Sequence, residues 1–396
     1  MERRQAQVLT INGGSSSIKF ALYGHGDALK RTSSGKIDRV GLHGATFTFT
    51  DSVRNREDSL SVGDVDQKAA ARILFDWLDE EIGLGAISAI GHRVVTGGTR
   101  YLEPTRVDAE LLTELRRLSE SAPEHLPAEM AMIDLCSARL PGLPQVVCFD
   151  TTFHNNMPRV AKILPLPRRY QAQGIERRGF HGLSCTYLME ELSRVAGRKT
   201  AQERVILCHL GNGASLTAVR AGKSIDTSMA FTPAAGVPMG TRSGDLDPGL
   251  VWYFAQTEHM TAAQFDRMVN HESGLLGISE TSSDMRDLLN REANDIRAAE
   301  AVALFCYQVK KWIGAMAAAL GGLDALVFAG GIGENAPTVR ARICEDLGFL
   351  GVKFDAIRNS KGRSVISADR SRVHVRVIRT DEDAIIARAV LRNLQP

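Results

Sequence analysis

One pattern recurs in this chain: a short apolar strand, a loop of Asn, Gly and Ser, and a second apolar strand. It occurs first as VLTINGGSSSIKFALY at Val8–Tyr23 and again as VILCHLGNGASLTAV at Val205–Val219. A glycine-containing connection between two strand-like runs reads as a β-hairpin with a longer loop. Self-similarity at this distance implies duplicated halves, each offering a loop to one ligand. A third glycine-rich loop follows a strand at Ala325–Ala329: Gly330 to Asn335 reads as a turn, and Pro337 opens a helix carrying Val339 and Ile343. Glycines let the backbone approach a ligand closely. Serine hydroxyls, backbone N–H groups and Lys19 suit phosphate oxygens. The first loop does not match G-x-x-x-x-G-K-[ST], so no P-loop enzyme is implied.

Strand-like and helix-like runs alternate along the rest of the chain, which makes it α/β. Helices are expected at Gln67–Glu81, Asp108–Ser119, Pro127–Arg139, Thr261–Asn270 and Ala293–Leu320. Buried strands are expected at Ala89–Gly91, Gln145–Phe149, Val205–Cys208, Ala325–Ala329 and Val373–Ile378, and Phe47–Thr50 alternates like an antiparallel strand. A last helix is expected after Thr380, with Asp383 completing a capping box. At 396 residues and 44% hydrophobic content there is material for two or three domains with sizeable cores. A formal charge of +2 implies no polyanion-binding surface, so nucleic acid is not an expected partner. The six cysteines lack metal-ligand spacing and sit mostly in apolar runs, as reduced, buried thiols of a cytoplasmic protein do. The greasiest stretch, Ile313–Leu320, is interrupted by Gly321, Gly322 and Asp324, so it reads as a buried helix and no membrane partner is expected.

Several residues carry chemical potential, each with a plainer alternative. Arg93, between Ile90 and Val94, either pairs with a buried acid or holds a ligand anion. Asp150 ends a strand where α/β proteins place ligands, or it caps the turn that follows. His181 lies between Phe180 and Gly182, and Arg242 lies in the glycine- and acid-rich loop MGTRSGDLDPG. Asp381, Glu382 and Asp383 at a helix start either favour the helix dipole or organise a divalent cation. Two arginines and a histidine suit an anionic acceptor and an anionic transition state, the needs of phosphoryl transfer.

Together these motifs resemble acetate kinases, ATP-dependent acyl-phosphate-forming enzymes of the actin, hexokinase and Hsp70 superfamily. The resemblance is carried by Asn12 to Phe20, Gly91 to Val95, Phe149 to Thr151 with Phe153-His154, and Gly179 to Gly182. It continues through His209 to Ser215, Met239 to Pro248, Ser273 to Gly277, Ser283 to Arg286 and Gly331 to Asn335. It implies two duplicated ribonuclease-H-like α/β domains around a nucleotide cleft, usually paired as a homodimer. The N-terminal domain would span 1–150 and be completed by a helix at 383–396; the nucleotide-binding domain would span 151–382. By resemblance, Asn12 and Glu382 serve a Mg2+ site in which Mn2+ can substitute. Ser15, Ser17 and Lys19, with His209, Leu210, Gly211, Asn212 and Gly213, approach the phosphates of ATP or ADP. Asp284, Met285 and Arg286, with Gly331, Ile332, Gly333, Glu334 and Asn335, hold the adenosine end. Arg93 binds the carboxylate of a short-chain acid against Val95, Phe180 and Pro233, and His181 and Arg242 stabilise the transferring phosphoryl group. Asp150 is described as an acid/base residue in such enzymes. An ionised carboxylate needs no deprotonation before it attacks phosphorus, so ordering Mg2+ through water is the better physical role.

The chain departs from the family's pattern around the acid. Thr96 stands where His is usual, Glu124-His125-Leu126-Pro127 where Leu-His-Asn-Pro is usual, Arg178 where Tyr is usual, and Leu183-Ser184-Cys185 where Thr-Ser-His is usual. Three alternatives stay open at this stage: a kinase for propionate or butyrate, a kinase for an alcohol or sugar, and a non-catalytic nucleotide-binding relative.

Overall fold

The computed structural model describes residues 6–14, 17–24, 29–120 and 122–395. The chain divides into two compact units, Met1–Thr152 with Asp381–Pro396, and Phe153–Thr380. Each is built on one mixed sheet.

The first sheet has eight strands: β1 (Gln7–Gly13), β2 (Ser17–Gly24), β3 (Lys30–Asp38), β4 (Ala45–Asp51), β5 (Arg56–Gly63), β6 (Ile87–Val94), β7 (Thr105–Arg106) and β8 (Gln145–Phe149), in the order β5-β4-β3-β2-β1-β6-β8-β7. The second has five: β9 (Arg204–Leu210), β10 (Ala214–Arg220), β11 (Lys223–Thr227), β12 (Ala325–Ala329) and β13 (His374–Val377), in the order β11-β10-β9-β12-β13. The expected duplication is visible in these orders. In each sheet a first strand pairs antiparallel with its hairpin partner and parallel with a later strand on its other side: β1 with β2 and β6, β9 with β10 and β12. The parallel strands β6–β8 and β12–β13 then extend the two sheets alike.

The apolar pattern places the cores. Phe20, Phe47 and Phe49 project from one face of the first sheet onto Trp77 of the helix Gln67–Glu81, with ring centroids 4.8–5.5 Å from the indole. Asp66 starts that helix by accepting the Ala69 N–H at 2.7 Å, so the buried residues Ala70, Leu74 and Leu78 align on one face. In the second unit Leu188, Leu192, Val205, Leu207, Val327 and Ala329 close a core between helix and sheet. Ile313, Met316, Ala317 and Leu320 are buried, as the sequence implied, and no helix among the described residues is long and apolar enough to cross a membrane. All six cysteines are free and buried, and burial pushes the Cys306 thiol up to about 11.

Three local expectations need correction. The long helix runs Ile296–Leu320, because the Asp295 side chain takes the N–H groups of Arg297 and Ala298 and caps it. Gly330–Asn335 is a short helix, not a turn: Glu334 Oε1 accepts the Gly330 N–H at 2.9 Å and Asn335 Nδ2 donates to the Gly331 carbonyl at 2.9 Å, both across four residues. The last helix, Glu382–Leu394, is capped by Asp381, which accepts the Ala384 N–H at 3.1 Å; the Thr380 hydroxyl is instead engaged by Ser184. Asp383 is not a capping partner, because its carboxylate accepts a hydrogen bond from the Thr10 hydroxyl at 2.9 Å.

This helix lies against β1 and β6. It can do so because β6 carries Gly91, where a Cβ would stand 2.7 Å from Val390 Cγ2 and closer still to Ile386 Cγ2. The close packing fixes where the helix begins, and so where Glu382 stands.

Candidate active site

In the first unit, β6 delivers Arg93. Its Nη1 donates to Glu129 Oε1 at 2.9 Å and its Nη2 to Asp150 Oδ2 at 3.0 Å. The two acid side chains are 1% and 2% exposed and the arginine 16%, so all three charges are largely out of water. Of the two sequence readings of Arg93, the buried-acid one therefore holds as a contact, and it leaves guanidinium donors for an anion as well. Asp150 follows β8 directly, and its backbone N–H donates to the Val94 carbonyl at 2.9 Å, which locks the two strand ends together. Glu129 Oε2 accepts the Val95 N–H at 2.9 Å. Burial pushes Glu129 up to about 7, against the downward pull of Arg93.

Glu129 went unnoticed in the sequence, where an acid in a helix's first turn reads as a dipole partner. Its spacing gave it away: with Leu126, Met130 and Ile133 it lies on the buried stripe of the helix Leu126–Arg139.

Asn12 pairs across the β1–β2 hairpin with Lys19, which puts the two side chains on one face. Thr10, two residues before Asn12 on the same face, holds Asp383. Arg31 and Tyr23 hold the Asp381 cap, the tyrosine hydroxyl at 3.3 Å and the guanidinium at 2.5 Å. Burial and the neighbouring Asp150 charge raise Glu382 to about 7. Carboxylate oxygens at this helix start are hard donors of the kind a divalent cation takes. No group of three or more His, Cys, Asp or Glu side chains among the described residues could hold a metal ion. Ser17 opens β2, and its carbonyl accepts the Gly14 N–H at 2.8 Å; Ser15 lies outside the described residues.

The second unit brings His181 and Arg242 together. His181 has φ 58°, a left-handed conformation that costs a non-glycine residue about 1–3 kcal/mol. It is held there from several sides. The ring Nδ1 is 2.8 Å from Ser215 Oγ, and the imidazole stacks on His209 at 4.2 Å between centroids. The carbonyl of Phe180 is bound by buried His154 at 2.9 Å. Arg242 donates through Nη1 to the Pro233 carbonyl at 3.3 Å. A Cβ on Gly213 would lie 3.3 Å from His181 Nε2 and 3.5 Å from Arg242 Nη1, so the imidazole and the guanidinium reach one point above that glycine.

The same glycine closes the phosphate-type loop, its carbonyl accepting the Gly211 N–H at 3.0 Å. On the other side of the loop, a Cβ on Gly211 would stand 3.8 Å from the Gly331 nitrogen. Leu210, Gly211 and Gly331 are thus neighbours, and Gly330, at φ 76°, has no room for a side chain against the Leu210 carbonyl. Glu334 spends its carboxylate on the N–H groups of Gly330 and Thr380. Arg340, 1% exposed, braces the same helix by donating to the carbonyls of Gly333 and Glu334 at 2.8 and 2.9 Å. Sequence reading missed it too, since an arginine between Val339 and Ile343 reads as solvated. Asp284 caps the helix Met285–Arg291 and pairs with the exposed Arg286, while Met285 is buried.

Residues 7–388 match the model of the acetokinase family. The chain belongs to that family. An acetate kinase from Halothermothrix orenii is 41% identical over 98% of this chain and 99% of its own length. A propionate kinase from Citrobacter rodentium is 42% identical over 98% and 96%. Among solved structures, a propionate kinase from Francisella tularensis superimposes with a TM-score of 0.91 at 35% identity, covering 98% of this chain and all of that one. As an acetokinase family member, the chain is an ATP-dependent phosphotransferase with a carboxyl group as acceptor.

The departures from the family's pattern are absorbed locally. Thr96 is buried, and its hydroxyl accepts the Gly98 N–H at 3.1 Å. Arg178 lies over the Phe231 ring at 4.8 Å, and Cys185 packs its thiol 3.6 Å from the Thr217 hydroxyl. Leu126 is buried at the start of its helix, whereas Glu124 is half-buried in the turn before it.

Proposed function

We propose that this acetokinase family member reversibly transfers the γ-phosphoryl group of ATP to acetate and, less selectively, to propionate. Arg93 takes the acid's carboxylate, with Val95, Phe180 and Pro233 as the apolar wall for its alkyl end. A carboxylate oxygen attacks the γ-phosphorus, the bond to the bridging oxygen breaks, and its electron pair leaves on ADP. His181 and Arg242 stabilise the charge on the transferring group, and the convergence of their tips on Gly213 is the observation that carries this reading. Asp150 needs no acid/base role; its contact with Arg93 makes it a holder of the guanidinium. Asn12 and Glu382 would hold Mg2+, which when bound would neutralise phosphate charge.

An extra methylene in an apolar pocket changes discrimination by only about 1–3 kcal/mol. Acetate and propionate are therefore expected within roughly 200-fold of each other in kcat/KM. Trapping the acyl phosphate with hydroxylamine across a panel of acids tests this, and turnover of neither acid would sink it.

The enzyme is proposed to act as a homodimer. The helix Gly249–Thr257 buries none of its residues, and Val251, Trp252 and Tyr253 are 48%, 71% and 57% exposed. A monomer mass in light scattering would refute this. Six free, buried thiols support a cytoplasmic location, which recovery of the protein from an oxidising compartment would contradict.

A further inference from the structure

We propose that Glu129 positions the acid-binding residues and also competes with the acid for the Arg93 guanidinium, so that it sets how tightly the acid binds. This rests on the reading of Arg93 as the residue that takes the acid's carboxylate. One buried carboxylate spans the subsite: Oε1 accepts from Arg93 Nη1 and Oε2 from the Val95 N–H, both at 2.9 Å. The charge that recognises the acid and the first wall residue are thereby held by a single side chain. That side chain is anchored on a helix whose neighbouring Leu126 and Ile133 are fully buried.

The same contact has an electrostatic consequence. A guanidinium carries one positive charge, and two protein carboxylates already share it, from Glu129 and Asp150. An incoming acid anion adds a third negative charge to a site with little water to screen it. Removing the charge on Glu129 relieves that repulsion while leaving a group of the same shape.

The charged groups acting on Glu129 are Arg93 from β6 and Asp150 from the end of β8, with Glu382 of the last helix acting on Arg93 in turn. The neighbouring His92 of β6 is buried on Gln145 and held down to about 4, so it is neutral near pH 7. Burial keeps a proton on Glu129 up to about pH 7. Below that pH the competitor is neutral and the acid binds more tightly; above it the carboxylate is ionised and the acid binds more weakly. The KM for the acid therefore rises with pH, by roughly tenfold if proton and acid are coupled by about one pKa unit.

The test is the KM for acetate between about pH 6 and about pH 8.5, in the wild type, Glu129→Gln and Glu129→Asp, with the KM for ATP as the internal control. Glu129→Gln is expected to lower the acetate KM at the alkaline end by roughly tenfold and to flatten the profile, with the KM for ATP unmoved. Glu129→Asp keeps the charge but cannot span both donors, so it should raise the acetate KM and retain the slope. A Glu129→Gln profile superimposable on the wild type, or a flat wild-type profile, overturns the proposal; the latter decides even if a variant fails to fold. Arg93→Ala separates the two readings, because an unchanged acetate KM there removes the acid subsite itself, whatever Glu129 does.

Discussion

Arg93 is held in a buried cluster of charges by Glu129 and Asp150. Removing one partner of a buried ion pair typically costs about 3–5 kcal/mol, because the other charge is left uncompensated. Glu129 and Asp150 therefore fix the guanidinium as much as they neutralise it. Arg242 is half-buried and donates through Nη1 to the Pro233 carbonyl and the Met239 sulfur. Arg242→Ala is expected to lower kcat by about 10²-fold or more with ATP binding largely kept, and steady-state kinetics with near-normal turnover would remove it from the mechanism. Glu382 stands between two explanations, helix dipole and metal ligand. If the second is right, Glu382→Gln needs much more Mg2+ for half-maximal activity and binds Mn2+ more weakly by electron paramagnetic resonance. A titration indistinguishable from the wild type would leave only the dipole.

At the scale of elements, the position of Glu382 is set by packing rather than by its own contacts. The helix Glu382–Leu394 is capped by Asp381, tied through Asp383 to Thr10, and seated on β6 at Gly91. Gly91→Ala places a methyl group against Ile386 and Val390. Overpacking of that kind costs about 1–3 kcal/mol, and relief by tilting the helix would carry Glu382 with it. Urea unfolding should show the loss, and the Mg2+ requirement should rise with it. A variant as stable as the wild type, with unchanged Mg2+ dependence, would mean that the seat is softer than the geometry implies.

For the whole molecule, the chain path matters most. The first unit is interrupted by the entire second unit and is completed only by the last 16 residues, Asp381–Pro396. Ile385, Ile386 and Val390 in that return segment are at most 5% exposed. Burying each contributes about 1.5–3 kcal/mol, a total comparable with the 5–15 kcal/mol that separates folded from unfolded in a typical domain. A chain ended at Thr380 should therefore lose protease resistance in its first unit, while a fragment close to 153–380 persists. Equal resistance of both units in limited proteolysis would show that the first holds without its last helix.

The sequence alone determined the parts whose cause is local. Hairpin loops, helix starts such as Asp66 and Thr261, and the strands Gln145–Phe149 and Ala325–Ala329 follow from turn chemistry, caps and side-chain periodicity, each readable within a few residues. The duplicated loop pattern likewise forecast two sheets with matching strand order, because similar segments bury their apolar faces alike. Contacts between residues far apart in sequence have no such local cause and arise only when the chain folds. Glu129 meeting Arg93 across 36 residues, Asp383 meeting Thr10 across 373, and His181 and Arg242 meeting over Gly213 have no local signature. Burial changes what such groups are. Glu129 and Glu382, ordinary helix-start acids when read in the chain, hold their protons to about pH 7 because the fold removes the water that would stabilise their charge.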